Sequence, residues 1–232
     1  MAGEPAELAG EPAEEPAEEL SVPQAFLLLV TNDADGEPEV PAYILRTTLA
    51  GAILAELELI GAIGLQGKHV RATGAAPQTE FDHQLELIRH KSRPHTPKRW
   101  VSMLEGRAEV QRVYEGLASR GIVDHVGETH LGVFRTVRYP EKDHAPEAAI
   151  RRKLNAALEG KPSGARTTAL VALLEASGQL DKLFPAADRR RARELAKDYW
   201  PARAVADELR MIRLAEDEAA ILTDPVRARH PE

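Results

Sequence analysis

The stretch Thr48-Leu49-Ala50-Gly51-Ala52-Ile53-Leu54-Ala55-Glu56-Leu57-Glu58-Leu59-Ile60 decides the fold. Leu49, Ile53, Leu54, Leu57 and Ile60 recur at helical spacing. Ala50, Ala52, Ala55 and Leu59 make the other sides apolar as well, and a helix apolar nearly all round is buried on several faces. Gly61 supplies its C-terminal cap. This is the expected central helix, with other helices packed around it. Glu56, on a buried helix, needs a hydrogen-bond partner. Glu58, two residues on, points elsewhere, so the two carboxylates do not act as a pair.

On the N-terminal side, Ala25 to Val30 is a short apolar segment opened by Pro23 and ended by the turn Asn32-Asp33-Ala34-Asp35-Gly36. Before it, residues 1–19 repeat a Gly-Glu-Pro-Ala-Glu theme, too poor in large apolar groups to offset the entropy of ordering, and are expected to form a disordered acidic tail. Its seven glutamates account for the whole net charge of -7, which leaves 30 basic against 30 acidic residues in the body. A neutral body argues against nucleic acid as a partner.

On the C-terminal side, Ile63 to Thr73 alternates around Gly67 and reads as a small hairpin. Phe81, Leu85 and Ile88 mark a helix to about His90. Thr96-Pro97 reads as an N-cap followed by a proline in the first turn, with Trp100 and Leu104 one turn apart beyond it. Val110, Val113, Tyr114 and Leu117 make an amphipathic helix closing at Arg120-Gly121. Ile122–Val126 and Leu131–Val137 are β-rich runs around Gly127-Glu128-Thr129 and read as a second hairpin, across which His125 and His130 would face each other. Helices then follow over Ile150–Leu158, Arg166–Ser177, from Asp188 as N-cap to Lys197, and Trp200–Leu214. Residues 215–232 are expected to fray. The fold class is therefore mainly α, a compact bundle around a buried central helix with one or two small hairpins. Aromatics are only 4% of the chain, so Leu, Ile, Val and Ala must build the core.

No catalytic constellation stands out, and the chain reads as a binding protein, not an enzyme. There is no phosphate-binding glycine loop and no G-x-S-x-G turn. The absence of cysteine removes thiolate metal sites and thiol nucleophiles. No two histidines lie one turn apart as a helical metal site requires, so neither metal nor cofactor is expected. The longest near-apolar stretch, Leu49 to Leu65, is interrupted by Glu56 and Glu58 and does not span a bilayer. The N-terminus lacks the basic and apolar regions of a secretory signal. The basic runs Arg151-Arg152-Lys153 and Arg189-Arg190-Arg191 read as solvated helix faces laced with ion pairs. Trp100 and Trp200 read as core residues.

Several segments in this order resemble the Golgi phosphoprotein 3 domain family: Ala25–Val30, Asp35-Gly36, Leu49–Leu57, Leu117–Val123, Phe134 to Tyr139-Pro140, Arg166–Leu174 and Trp200–Leu209. The resemblance covers about residues 20–212, with tails at 1–19 and 213–232, and the sequence looks like a bacterial member. It implies a compact helical fold with a protruding β-hairpin. It also implies peripheral membrane binding, since eukaryotic members bind phosphatidylinositol 4-phosphate. Their headgroup pocket uses a tryptophan before the central helix, an arginine near that helix's start, and two arginines one turn apart on the helix before the hairpin. Here the tryptophan falls near Pro41, with Tyr43 the nearest aromatic. The first arginine falls on Ala50, with Arg46 one turn earlier. Of the last pair Arg107 matches, and its partner falls on Val110, with Arg112 nearby. The resemblance thus implies an anion site of Tyr43, Arg46, Arg107 and Arg112. The expected partner is an anionic phospholipid headgroup or membrane surface, and the expected location is cytoplasmic, on the inner membrane face. The alternative is a protein-interaction adaptor acting through the acidic tail or through hairpin 122–139, by self-association or with another protein.

Overall fold

The computed structural model describes residues 19–75, 77–130 and 134–223. Among them are ten helices and two separate two-stranded antiparallel sheets, so the protein is mainly α. The central helix, α2 (Ala42–Leu59), starts about one and a half turns before the apolar run that announced it. Ile44, Leu45, Leu49, Ile53, Leu54 and Leu57 are all buried on it. Gly61, at φ +73°, ends it as expected.

Four helices wall α2 in: α1 (Val22–Leu29), α4 (Pro97–Leu104), α7 (Ala165–Ser177) and α10 (Trp200–Thr223). Helix α1 is the short apolar segment after Pro23. Every one of its residues is buried, so no polar face gave it a helical period to read. Helix α7 is likewise buried on most sides and ends on Gly178 in the left-handed conformation. Where α10 crosses α2, Gly51 provides the clearance: a Cβ there would lie 2.1 Å from Val205 Cγ2.

The sequence signals at α4 and at α9 (Arg189–Ala196) match the structure. Thr96 Oγ1 accepts from Arg99 N at 3.4 Å, and Asp188 Oδ1 accepts from Arg190 N at 2.8 Å. Trp100 is fully buried, and Trp200 is buried with its indole N–H donated to Glu58. Helices α3 (Asp82–Arg89), α5 (Arg107–Ser119), α6 (Ala145–Leu158) and the short α8 (Leu180–Leu183) complete the shell. The basic runs form ion pairs: Arg151 with Glu147, Arg189 with Asp181, Arg191 with Glu194 and Arg193 with Glu175. Helix α10 continues to Thr223, past the expected end at Leu214, but from Arg213 to Ala220 it is exposed and adds nothing to the core. The rest of the expected C-terminal tail, 224–232, and residues 1–18 of the acidic tail lie outside the described residues.

The first hairpin, β1 (Ile63–Gln66) with β2 (His69–Ala72), turns at Gly67 as read from the sequence. The second differs in register. Its strands are β3 (Val126–His130) and β4 (Phe134–Arg138), with Val126 opposite Arg138 and His130 opposite Phe134. Gly127, Glu128 and Thr129 are therefore strand residues, and the connection at 131–133 lies outside the described residues. His125 precedes β3 and His130 ends it opposite Phe134, so the two are not cross-strand partners; His125 stacks on Tyr139 at 5.3 Å. Gly127 does not mark the turn, because glycine occurs in strands as well as in turns.

Candidate functional site

Of the expected anion-site residues, Tyr43 and Arg46 lie in the first two turns of α2, and Arg107 and Arg112 in the first two turns of α5. Thr47 Oγ1 donates to Glu105 Oε2 at 2.6 Å and so ties the second turn of α2 to the α4–α5 junction, two residues before Arg107. Both helices start without a side-chain cap, α2 behind Pro41 and α5 behind Gly106. Their first N–H groups therefore have no side-chain acceptor, and each helix start carries partial positive charge. Tyr43 and Arg46 are half-buried on α2. Arg46 Nε donates to the Ala42 carbonyl at 3.1 Å, which draws the guanidinium back towards the helix start. Arg107 is exposed in the first turn of α5. Neither arginine has an acidic partner among the described residues.

Arg112 is different. It pairs with Glu109 at 3.0 Å, and Glu109 also accepts from Gln84 of α3, so Arg112 is directed towards α3. No hydrogen bond or ion pair among the described residues joins the four side chains to one another. Ala50 is 1% exposed, so an arginine at that position would have to leave the core. Arg46, one turn earlier, stands where the helix meets solvent.

Two other polar regions were not legible in the sequence. One is a cleft of about 840 Å³ between α1, α6 and α7, with Arg120, Arg152, Lys153 and Arg166 on an otherwise largely apolar lining. Its charge is mostly committed internally. Glu56 is 4% exposed, and its carboxylate accepts from Val22 N at 2.9 Å and from both Nε and Nη2 of Arg166. This is the partner the sequence demanded for Glu56, and it comes from a residue 110 positions away. Glu19 in turn pairs with Lys153 at 3.2 Å and with Arg166 at 3.5 Å.

The other region lies where the loop after α1 meets the segment between β4 and α6. Tyr114 and Tyr139 stack there with ring centroids 4.4 Å apart, and Tyr114 shares a 2.6 Å hydrogen bond with Thr31. Burial pushes the Tyr114 hydroxyl up to about 12. Asp33, Glu141 and His144 meet beside this stack, although no spacing in the sequence links Asp33 to the other two.

Among the described residues no helix is long and apolar enough to cross a membrane. Among the described residues the fold is a helical shell around a buried helix, with two small hairpins at its side. The family model described as Golgi phosphoprotein 3 (GPP34) matches residues 22–212, and the chain belongs to that family. The family is not one of known enzymes. No curated protein matches the chain.

Proposed function

We propose that this protein is a peripheral binding module, not a catalyst, and that it takes the phosphorylated headgroup of an anionic lipid where α2 and α5 begin. The observation that carries the reading is the Thr47–Glu105 hydrogen bond, which gathers two uncapped helix starts and two arginines without acidic partners among the described residues, Arg46 and Arg107. Free N–H groups and helix dipoles favour phosphate at such a place, and arginine adds bidentate donors. Tyr43 flanks the site as its aromatic wall. Membership in the Golgi phosphoprotein 3 family supports an inositol phospholipid of the phosphatidylinositol 4-phosphate kind as the headgroup. Arg112 contributes long-range attraction only, since Glu109 already holds it.

Sedimentation with liposomes tests this, comparing neutral, generally anionic and inositol-phosphate lipids at two salt concentrations. Binding should prefer the inositol lipid. A charge-assisted hydrogen bond contributes about 1.5–3 kcal/mol, so Arg107→Ala or Arg46→Ala should weaken binding about tenfold or more. Equal binding to neutral vesicles, or binding unchanged in both variants, would end this reading.

One observation favours the adaptor alternative. Among the described residues the β3–β4 sheet has two strands, so each has an outer edge, and Val126 and Val137 in these strands are 39% and 42% exposed. Such an edge can pair with a strand of a second copy or of another protein. Light scattering decides the self-association arm: a strict monomer at all concentrations removes it.

A further inference from the structure

Asp33, Glu141 and His144 bring their ligand atoms within 4.8 Å of one another. The backbone holds them there. Glu141 N donates to the Asp33 carbonyl at 2.9 Å, and Tyr139 N donates to the Gly36 carbonyl at 3.3 Å. Gly36 has φ +70°, and a Cβ on it would lie 2.2 Å from Pro140 N, so only glycine permits this approach of the loop to the strand end. Asp33 and His144 are exposed, whereas the Glu141 side chain is 4% exposed. One Glu141 oxygen faces His144 Nδ1, and the other, Oε1, is buried without a hydrogen-bond partner.

Immediately inside lies a cavity of about 10 Å³, lined in part by Asp33, Tyr139, Glu141 and Glu147. That is the space of about one water molecule. Two of those residues carry further buried oxygens without partners, the Tyr139 hydroxyl and Glu147 Oε2. Three unpartnered oxygens thus belong to residues around one small hole, two of them on its carboxylates Glu141 and Glu147. Among the described residues, Arg151, paired with the other Glu147 oxygen, and His144 itself are the cationic groups in contact with these carboxylates. Leaving buried carboxylates without compensation is costly, and a bound cation supplies the compensation.

We propose that Asp33, Glu141 and His144 form a site for one divalent transition cation of the zinc or manganese type, with Tyr139 and Glu147 holding its water in the small cavity. The donor set selects the class: two carboxylates are hard ligands, and an imidazole favours first-row transition ions over calcium or magnesium. The ion ties the loop after α1 to the segment that leaves β4, and so fixes the base of the second hairpin to the helical body.

The test uses the full chain, stripped with EDTA and dialysed free of it. Calorimetric titration and thermal melts with Zn²⁺, Mn²⁺, Mg²⁺ and Ca²⁺ give affinity and stabilisation. Zn²⁺ or Mn²⁺ should bind with one-to-one stoichiometry and raise Tm. Asp33→Asn and His144→Ala change exposed side chains and should keep the fold by circular dichroism, yet weaken the ion about tenfold or more. His83→Ala, an exposed histidine elsewhere, should leave binding unchanged. No binding by any ion overturns the proposal and leaves the cavity to water. Binding unaffected by Asp33→Asn and His144→Ala overturns it by placing the ion elsewhere. Binding of Ca²⁺ or Mg²⁺ alone overturns the transition-metal assignment.

Discussion

Gly51→Ala is the sharpest probe of the packing around α2. In an exposed helix this change gains about 1 kcal/mol from helix propensity. Here the new Cβ would stand 2.1 Å from Val205 Cγ2 and 3.4 Å from Leu173 Cδ2. Ordinary carbon contacts begin near 3.5 Å, so α10 must retreat by roughly 1.5 Å or Val205 must change rotamer. Valine in a helix has one strongly preferred rotamer, which closes the easy escape. Overpacking of this kind costs about 1–3 kcal/mol, and with the propensity gain set against it the net loss is up to about 2 kcal/mol. For a domain of this size a loss of about 2 kcal/mol lowers Tm by roughly 4–8 °C. The decisive measurement is a double-mutant cycle with Val205→Ala, read by thermal and urea unfolding. With the methyl groups gone, Gly51→Ala should become neutral or stabilising. If it stabilises the wild-type chain, or costs the same in both backgrounds, the close α2–α10 approach is not what the glycine serves.

Two further outcomes follow from Glu56, which is buried on α2, and Glu58, which is half-buried. Arg166→Met should cost about 3 kcal/mol, because it strands Glu56 without its guanidinium; the figure is at the low end because Arg166 keeps 33% of its side chain in solvent. Adding Glu56→Gln should recover part of that loss in urea unfolding, and no recovery would mean that Arg166 acts by packing alone. Glu58 has its carboxyl raised by burial, against the lowering effect of the Trp200 hydrogen bond. Its unfolded form deprotonates near 4.5 while the folded form holds the proton to higher pH, so the folded chain binds more protons between the two and loses stability as pH rises through that window. Glu58→Gln should remove that part of the slope; an unchanged pH profile of Tm between mild acid and neutrality would contradict it.

The sequence revealed local structure wherever the flanking pattern left a residue only one physical use. Thr96-Pro97, Asp188, Gly61 and Gly67 each occupy the cap or turn their chemistry demands. The central helix was readable because its apolar residues are both numerous and periodic. Helix α1 was not readable as a helix because burial on all sides leaves eight residues without contrast. The second hairpin was found but its turn was misplaced, since β-rich runs carry no register of their own. For the candidate anion site, the family resemblance pointed to Arg46, Arg107 and Arg112 alike, and only the fold shows Arg112 held by Glu109. The grouping of Asp33 with Glu141 and His144 depends on a loop meeting a strand end more than a hundred residues later, and no local pattern encodes it.

The Glu56–Arg166 pair also has a temporal meaning. Arg166 is made 110 residues after Glu56, and Val205, which fills the space left at Gly51, comes later still. At about 5–20 residues per second on the ribosome, α2 waits roughly 5–20 s for α7 to be synthesised. During that interval its apolar sides lack two of their four covering helices, and one carboxylate on it lacks its counter-charge. The nascent chain therefore passes through a sticky stage in which a chaperone has most to offer. Any change that lengthens the wait, such as slow codons between α5 and α7, should lower the yield of native protein without altering a single contact in it.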